Sequence, residues 1–326
     1  MGGQAVIEGV MMRSPHRVAV AVRKPNGEIA VRTFPYTPLA KRKKWIGQPV
    51  IRGAVGLVES LKIGIGALNW SAEQAAPEEE AAKPKSKAKD RLTLAGTMLL
   101  ATVIALALFL YFPLWVGRTA VGSHGSELSA AGQIGLNIVA GAVRVLILLG
   151  YMWAISFWKD IHRVFQYHGS EHKTIFAFEK GDELSADRVL KHTRFHPRCG
   201  TSFLLIVALS AIIFFAIVDS IVTAVWGDYP SVLARFAVHL PLVPLVAGIS
   251  YEILKFSAKH TENRLVKVAI QPGLWLQKIT TQEPDPAMCE VAVTALRTAL
   301  RNGESPESAD AQPVPEKDQV LQHPTE

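Results

Sequence analysis

The stretch FLLIVALSAIIFFAIVDSIVTAVW, Phe203 to Trp226, settles the class of this chain before any motif is considered. Its only charged residue is Asp219. An α-helix rises about 1.5 Å per residue, so an apolar run of about 20 residues crosses the hydrocarbon core of a bilayer. Three other segments have the same character: Leu92 to Val116, Ile134 to Phe157 and Val232 to Leu254. Four such runs in 326 residues specify a polytopic helical membrane protein rather than a soluble one.

The basic residues give the orientation, because Lys and Arg flanking membrane helices stay on the cytoplasmic side. Of the 35 Lys and Arg residues, Arg118 alone follows the first span, the loop GDYPS after the third has none, and Arg144 and Arg235 lie inside spans. All the others precede span one, separate spans two and three, or follow span four. Both termini and the long central loop are therefore expected on the cytoplasmic side of the cell (inner) membrane. The start MGGQAVIEGVMMRSPH has no basic segment leading into an apolar run, so no cleavable signal peptide is expected. It also lacks the Ser or Thr at its sixth position that myristoylation requires. Cys199 and Cys289 fall on the predicted cytoplasmic side, where thiols stay reduced, and no structural disulfide is expected. The net charge of +7 is accounted for by topology and by attraction to anionic headgroups. Membrane lipids, and not nucleic acid, are the expected partners.

Around the spans the chain divides by composition. Residues 1–50 read as a β-rich cytoplasmic segment, with Asn26-Gly27 between two β-rich runs as a hairpin signal. Residues 51–70 are apolar but carry Arg52, Glu59 and Lys62, which predicts an interfacial or re-entrant helix. Residues 71–91 read as a disordered charged linker and 302–326 as a disordered tail. Spans one and two occupy 92–157, spans three and four 203–254, and a His-rich loop lies between them at 158–202. In 255–301, RLVKVAIQPGLWLQKITTQEP reads as strand, turn and strand or short helix, and PAMCEVAVTALRTAL as one amphipathic helix. The expected fold is thus four transmembrane helices with a mixed α/β cytoplasmic portion. That portion is built from the N-terminal region, the central loop and the C-terminal region.

The candidate chemistry sits in YHGSEHKTIFAFEKGD, Tyr167 to Asp182. His168 and His172 are four apart, so on a helix they project from one face and can share one ion. Glu171 lies on the same side. The order His-x-x-Glu-His is that of the inverted zinc-hydrolase motif, in which the histidines bind the metal and the Glu is the general base. His162, His168, His172, His192 and His196 are five of the chain's ten histidines. The loop ends in FHPRCGTSF, where His196 and Cys199 are candidate further ligands, since imidazole and thiolate both suit zinc. Four protein ligands make a closed, structural site; three leave an open, catalytic one. The cofactor expected is a divalent metal ion, zinc by its donor set.

Polar groups inside spans normally find partners, because a lone charge in hydrocarbon is costly. Arg144, Asp219 and His239 fall at comparable depths, which predicts an Arg144–Asp219 pair with His239 nearby. Its reading is either a proton or ion path or a neutralised packing contact. Glu252, near the inner end of span four, is an additional candidate ligand. In the opening block, Gln4, Glu8 and Arg13 precede the strands. Glu8 and Arg13 there either border the metal, ready for an anionic substrate group, or close a salt-bridged turn.

Five blocks carry a resemblance: GGQAVIEGVMMRSP, IRGAVGLVESLKIG, KDIHRVFQYHGSEHKTIFAFE, HPRCGTSFLL and QPGLWLQKITTQEPD. Together they are similar to the YqhQ-like family of bacterial membrane proteins, a family of unknown function described as predicted metal-dependent enzymes. The resemblance implies a polytopic membrane protein with a metal site at His168, His172 and the HPRCGTSF block. It implies no particular reaction. The expected function is a metal-dependent, hydrolase-type enzyme at the cytoplasmic membrane surface, with a lipid-linked or membrane-protein substrate and Glu171 activating water. The alternative is a non-catalytic, metal-stabilised scaffold that docks cytoplasmic partners.

Overall fold

The alternation VAVAV at residues 18–22 builds the centre of the soluble part. In a strand successive side chains point to opposite faces, so the valines face one way and the alanines the other. The computed structural model of the chain, which describes residues 1–77, 87–122, 130–227, 229–260 and 263–301, shows both faces covered. Strands β1 (Gly2–Val6), β2 (Gly9–Arg13), β3 (Arg17–Arg23) and β4 (Ile29–Pro35) form an antiparallel sheet in the order β1-β2-β3-β4. The β3–β4 turn is the predicted one, with Gly27 at φ +88° and Lys24 N–H donating to Glu28 O.

A short helix α1 (Leu39–Arg42) leads to α2 (Ile51–Ala75). The C-terminal half of α2 covers the valine face, where Val6, Val18, Val20 and Val22 bury against Ala67. The other face, with Val10, Met12, Ala19 and Ala21, packs on Tyr167 and Ile175 of α6 (Lys159–Lys180) and on the last helix, α12 (Pro286–Leu300). Small alanines on that side let α12 sit close, and its Val291, Ala292, Ala295 and Leu296 are fully buried. The amphipathic helix expected there is found.

Among the described residues, four stretches of helix are long and apolar enough to cross a membrane: Ala95–Val121, Gly132–Ile155, Gly200–Trp226 and Leu233–Ser257. They correspond to the four expected spans. The first is α3 (Lys87–Leu106), a π-helical turn at Ala107–Tyr111, and α4 (Phe112–Val121). The second is α5 (Ala130–Ile155) and, after α6 and the short α7 (Ala186–Val189), the third is α8 (Gly200–Trp226). The fourth is broken at LPLVP into α9 (Val232–His239), a 3₁₀ turn and α10 (Val243–Lys259). Proline at both positions cannot continue the ladder of the preceding helix, which accounts for the break.

Three expectations need correction at the level of secondary structure. RLVKVAIQPGLWLQKIT is a single helix, α11 (Arg264–Thr280), with Pro272 inside it, not two strands around a turn. Its buried residues Val266, Gly273, Leu276, Gln277 and Thr280 follow the helical period. The His-rich stretch is largely helical, because α6 takes up its first half. The helix expected at 51–70 runs on to Ala75, and α3 begins before residue 92. Residues 78–86 of the expected linker and the tail 302–326 lie outside the described residues.

The expected Arg144–Asp219 pair is also replaced. Asp219 on α8 instead pairs with Arg235 on α9, which in turn donates to Asn137 Oδ1 on α5 at 2.6 Å. His239 Nε2 bonds Asp219 Oδ1 at 2.7 Å, as expected of a neighbour, and its ring stacks on Phe215 at 4.2 Å. Arg144 turns to the first span and donates from Nε to Phe109 O at 3.0 Å. Phe109 lies in the π-helical turn, where the wider winding leaves carbonyls poorly matched to the backbone ladder. Glu252 is no candidate ligand: it receives Arg52 Nε at 2.7 Å, tying α10 to the start of α2.

Candidate metal centre

Helix α6 positions the motif. Asp160 in its first turn and Lys180 in its last suit the helix dipole, and Gly181 at φ +71° ends it in the left-handed conformation. One face of α6 carries Tyr167, Glu171 and Ile175 toward the sheet. His168 and His172 turn instead toward the start of α8 and the end of α11. Gly169 has a spatial reason for lacking a side chain, because a Cβ there would run into the backbone carbonyl of Gln282. That segment, which leaves α11, is bonded to α6 through Gln282 N–H to Phe165 O at 2.8 Å. Lys173, itself buried, reaches Glu283 at 2.8 Å.

His168 Nδ1 lies 2.8 Å from the carbonyl of Thr280, and His172 Nδ1 lies 2.5 Å from that of Arg194. A carbonyl only accepts, so each Nδ1 carries a proton, and in the neutral ring Nε2 is the atom with the lone pair. This is the outer arrangement that fixes ring and tautomer in metal-binding histidines. Cys199 Sγ stands 3.2 Å from His168 Nε2. One donor atom from each of His168, His172 and Cys199 lies within 4.8 Å of the other two. Tetrahedral zinc, with bonds of about 2.0 Å to nitrogen and about 2.3 Å to sulfur, needs those ligands roughly 3.5 Å apart, so the donor set fits the ion.

Cys199 is the N-cap of α8 and accepts from Thr201 N–H. The loop before it is held by Gln277 of α11, whose side chain accepts from His196 N–H at 2.8 Å and donates to His196 O at 2.7 Å. His196 is brought beside the cluster, its ring 5.6 Å from that of His172, but it is not among the converging donors. Its Nδ1 accepts from Arg198 N–H, while the buried Nε2 has no hydrogen bond among the described residues and is 3.6 Å from Glu179. Burial, with His172 and Arg198 adding to it, holds the imidazole down to about 3. His192 faces Asp182 at 3.0 Å, and His162 is exposed; neither joins the centre.

Glu171 is 5 % exposed, and its Oε2 is 3.9 Å from His168 Nε2. Among the described residues no hydrogen bond reaches its carboxylate. Burial raises its pKa to about 7, against the opposing pull of His168. A carboxyl poised near neutrality beside a candidate metal site is suited to taking a proton from water. Over it lies β1: a Cβ on Gly3 would fall 2.6 Å from Glu171 Oε1. The opening block therefore does reach the centre, though through Gly3. Glu8 instead pairs with Arg163 on α6, with Tyr167 O–H 3.4 Å away, and Arg13 reaches Ser60 and the Tyr36 ring. Neither closes the salt-bridged turn that was the alternative expectation: Glu8 ties the β1–β2 turn to α6, and Arg13 ties β2 to α2.

The two carbonyls that orient the histidines belong to Thr280 and Arg194, and no side-chain pattern announces a carbonyl. Gln277 had one available signal, its place in the QPGLWLQKITTQEPD block.

A helical membrane protein with four candidate spans, an N-terminal sheet between helices and a largely buried His-His-Cys cluster is the class these observations define. The chain belongs to the family described as "Protein of unknown function (DUF1385)", whose model matches residues 48–302. Every residue of the cluster falls in that range. It is also 32% identical over 309 residues to the uncharacterized protein YqhQ of Bacillus subtilis (strain 168), covering 92% of each chain. No solved structure matches it.

Proposed function

We propose that this chain is a zinc-dependent hydrolase acting at the cytoplasmic face of the membrane, with His168, His172 and Cys199 as the ligands and Glu171 as the general base. The observation that carries the reading is the pair of imidazoles whose Nδ1 protons are both committed to backbone carbonyls, leaving two lone pairs beside one thiol. A bound zinc ion supplies Lewis acidity toward water and toward a substrate carbonyl or phosphoryl oxygen. Three protein ligands leave a position for substrate. Glu171 takes the proton from water and, once protonated, donates it to the leaving group. The strong asymmetry of Lys and Arg supports placing the centre on the cytoplasmic side. Burial of His172 and Cys199, with His168 half-buried, also favours a second reading, a metal-stabilised scaffold, in which Glu171 has no chemical task.

Purified protein is expected to hold close to one zinc per chain, measured by elemental analysis after extensive dialysis. His172→Ala and Cys199→Ala are each expected to lose it at least a hundredfold more readily to a competing chelator. Retention of zinc by both variants at wild-type affinity rules the site out.

A further inference from the structure

We propose that the free edge of β1 is the substrate rim of this centre and that it takes a polypeptide segment in extended conformation by strand addition. The inference rests on the hydrolase reading and names its substrate class.

Among the described residues β1 pairs with β2 alone, so no strand lies against its other edge. The β1–β2 register closes at Val6↔Gly9 across the two residues Ile7 and Glu8. In such a hairpin the closing pair exchanges hydrogen bonds, and the exchange recurs at every second pair, Gln4↔Met11 and Gly2↔Arg13. The N–H and C=O groups of Gly3, Ala5 and Ile7 therefore point away from β2. Ile7 N–H confirms the phase, because it donates outward to Ser71 Oγ on α2 at 3.1 Å. Gly3 and Ala5 have no such partner among the described residues, and Gly3 is exposed.

An unpaired edge is a template for another backbone, and its spacing of donors and acceptors matches a polypeptide and not a lipid headgroup. Its position is what makes it specific. Gly3 rests on Glu171, whose carboxylate is 3.9 Å from His168 Nε2, so a strand added about 4.8 Å from β1 lies one strand spacing from the residue that contacts the centre. A side chain at residue 3 would occupy that contact. Hydrolysis of the added segment balances with water alone: the water oxygen bonds to the carbonyl carbon and the C–N bond breaks. One water proton passes through Glu171 to the leaving nitrogen, and the other stays on the new carboxyl group.

The test uses full-length Glu171→Gln protein in lipid nanodiscs, which binds without turnover, and fluorescein-labelled β-casein as an unfolded polypeptide probe. Fluorescence anisotropy is expected to report binding, and hydrogen exchange is expected to slow at Gly3 and Ala5 when the probe is added. Ala5→Pro removes an outward donor without taking a bond from the β1–β2 ladder. It is expected to weaken binding at least tenfold with zinc content and melting temperature unchanged; if that variant does not fold, the exchange measurement alone decides. No probe binding, undiminished binding by Ala5→Pro, or protection confined to other segments overturns the proposal. So does protection of Gly3 and Ala5 before the probe is added, whether by a second copy or by residues 302–326. Protection of the edge in a protein that holds no zinc supports strand addition and overturns the hydrolase reading. Zinc-loaded protein with no protection at the edge overturns strand addition alone.

Discussion

Asp219→Ala is expected to destabilise the folded protein by about 3–5 kcal/mol, the largest loss from any single substitution among the spans. The argument is one of stranded charge. Arg235 is 8 % exposed and holds its guanidinium between Asp219 and Asn137. Removing the carboxylate leaves a cation in a low-dielectric interior with one neutral acceptor, and removes the anchor of His239 as well. Replacing both partners by leucine removes the stranded charge with the anion, so Asp219→Leu/Arg235→Leu is expected to recover most of the loss. Melting in detergent, followed by intrinsic tryptophan fluorescence, measures both. A double variant no more stable than Asp219→Ala would show that the network is not held by this pair. Arg144→Gln is the control, expected to cost far less because its bond is to a backbone carbonyl and not to the acid.

Glu171→Gln is expected to do two opposite things. It keeps zinc, because the glutamate is not among the converging ligands, and it lowers turnover of a polypeptide substrate by about 10²–10⁴, the usual worth of a general base. In metal-free protein it also stabilises, in a pH-dependent way. The folded carboxyl titrates near 7 against an ordinary 4.5, so between those values the folded state binds more protons than the unfolded one. Stability of the unsubstituted protein therefore falls as pH rises through that window, by on the order of 3 kcal/mol from this group. The glutamine variant has no such term, so its advantage should grow from about pH 4.5 and level off above about 7. His196 works in the other direction: held neutral when folded, it makes both proteins lose stability as pH falls from 6.5 toward 3. Taking the difference between variant and parent cancels it. A difference that is flat with pH would remove the buried, raised carboxyl from the account.

How far the sequence could be read depended on whether a feature is local. The spans were legible because an apolar run of fixed length has few other meanings, and the β3–β4 hairpin because Asn-Gly selects its own turn. Helix α11 was misread because Pro272-Gly273 looks like punctuation. Its helical period shows only when Gln277 and Thr280 count as buried, and they are buried because they hold the loop before α8 and His168. The two histidines and Cys199 were legible as residue types suited to one ion. Their convergence was not, since it depends on where α6, α8 and α11 cross. Choosing Arg144 over Arg235 as the partner of Asp219 was an error of the same origin: depth along a span is local, and the direction a side chain faces across the bundle is not.

The bond from His168 Nδ1 to Thr280 O has a consequence for how the protein is made. Both histidines and the thiol leave the ribosome well before residue 280, while the third and fourth spans are still entering the bilayer. Until α11 emerges, His168 lacks its tautomer-fixing carbonyl and the loop around His196 lacks Gln277. On the zinc reading proposed above, metal acquisition is thereby deferred to the end of biogenesis, and a chain truncated ahead of α11 carries the candidate ligands without the template that assembles them.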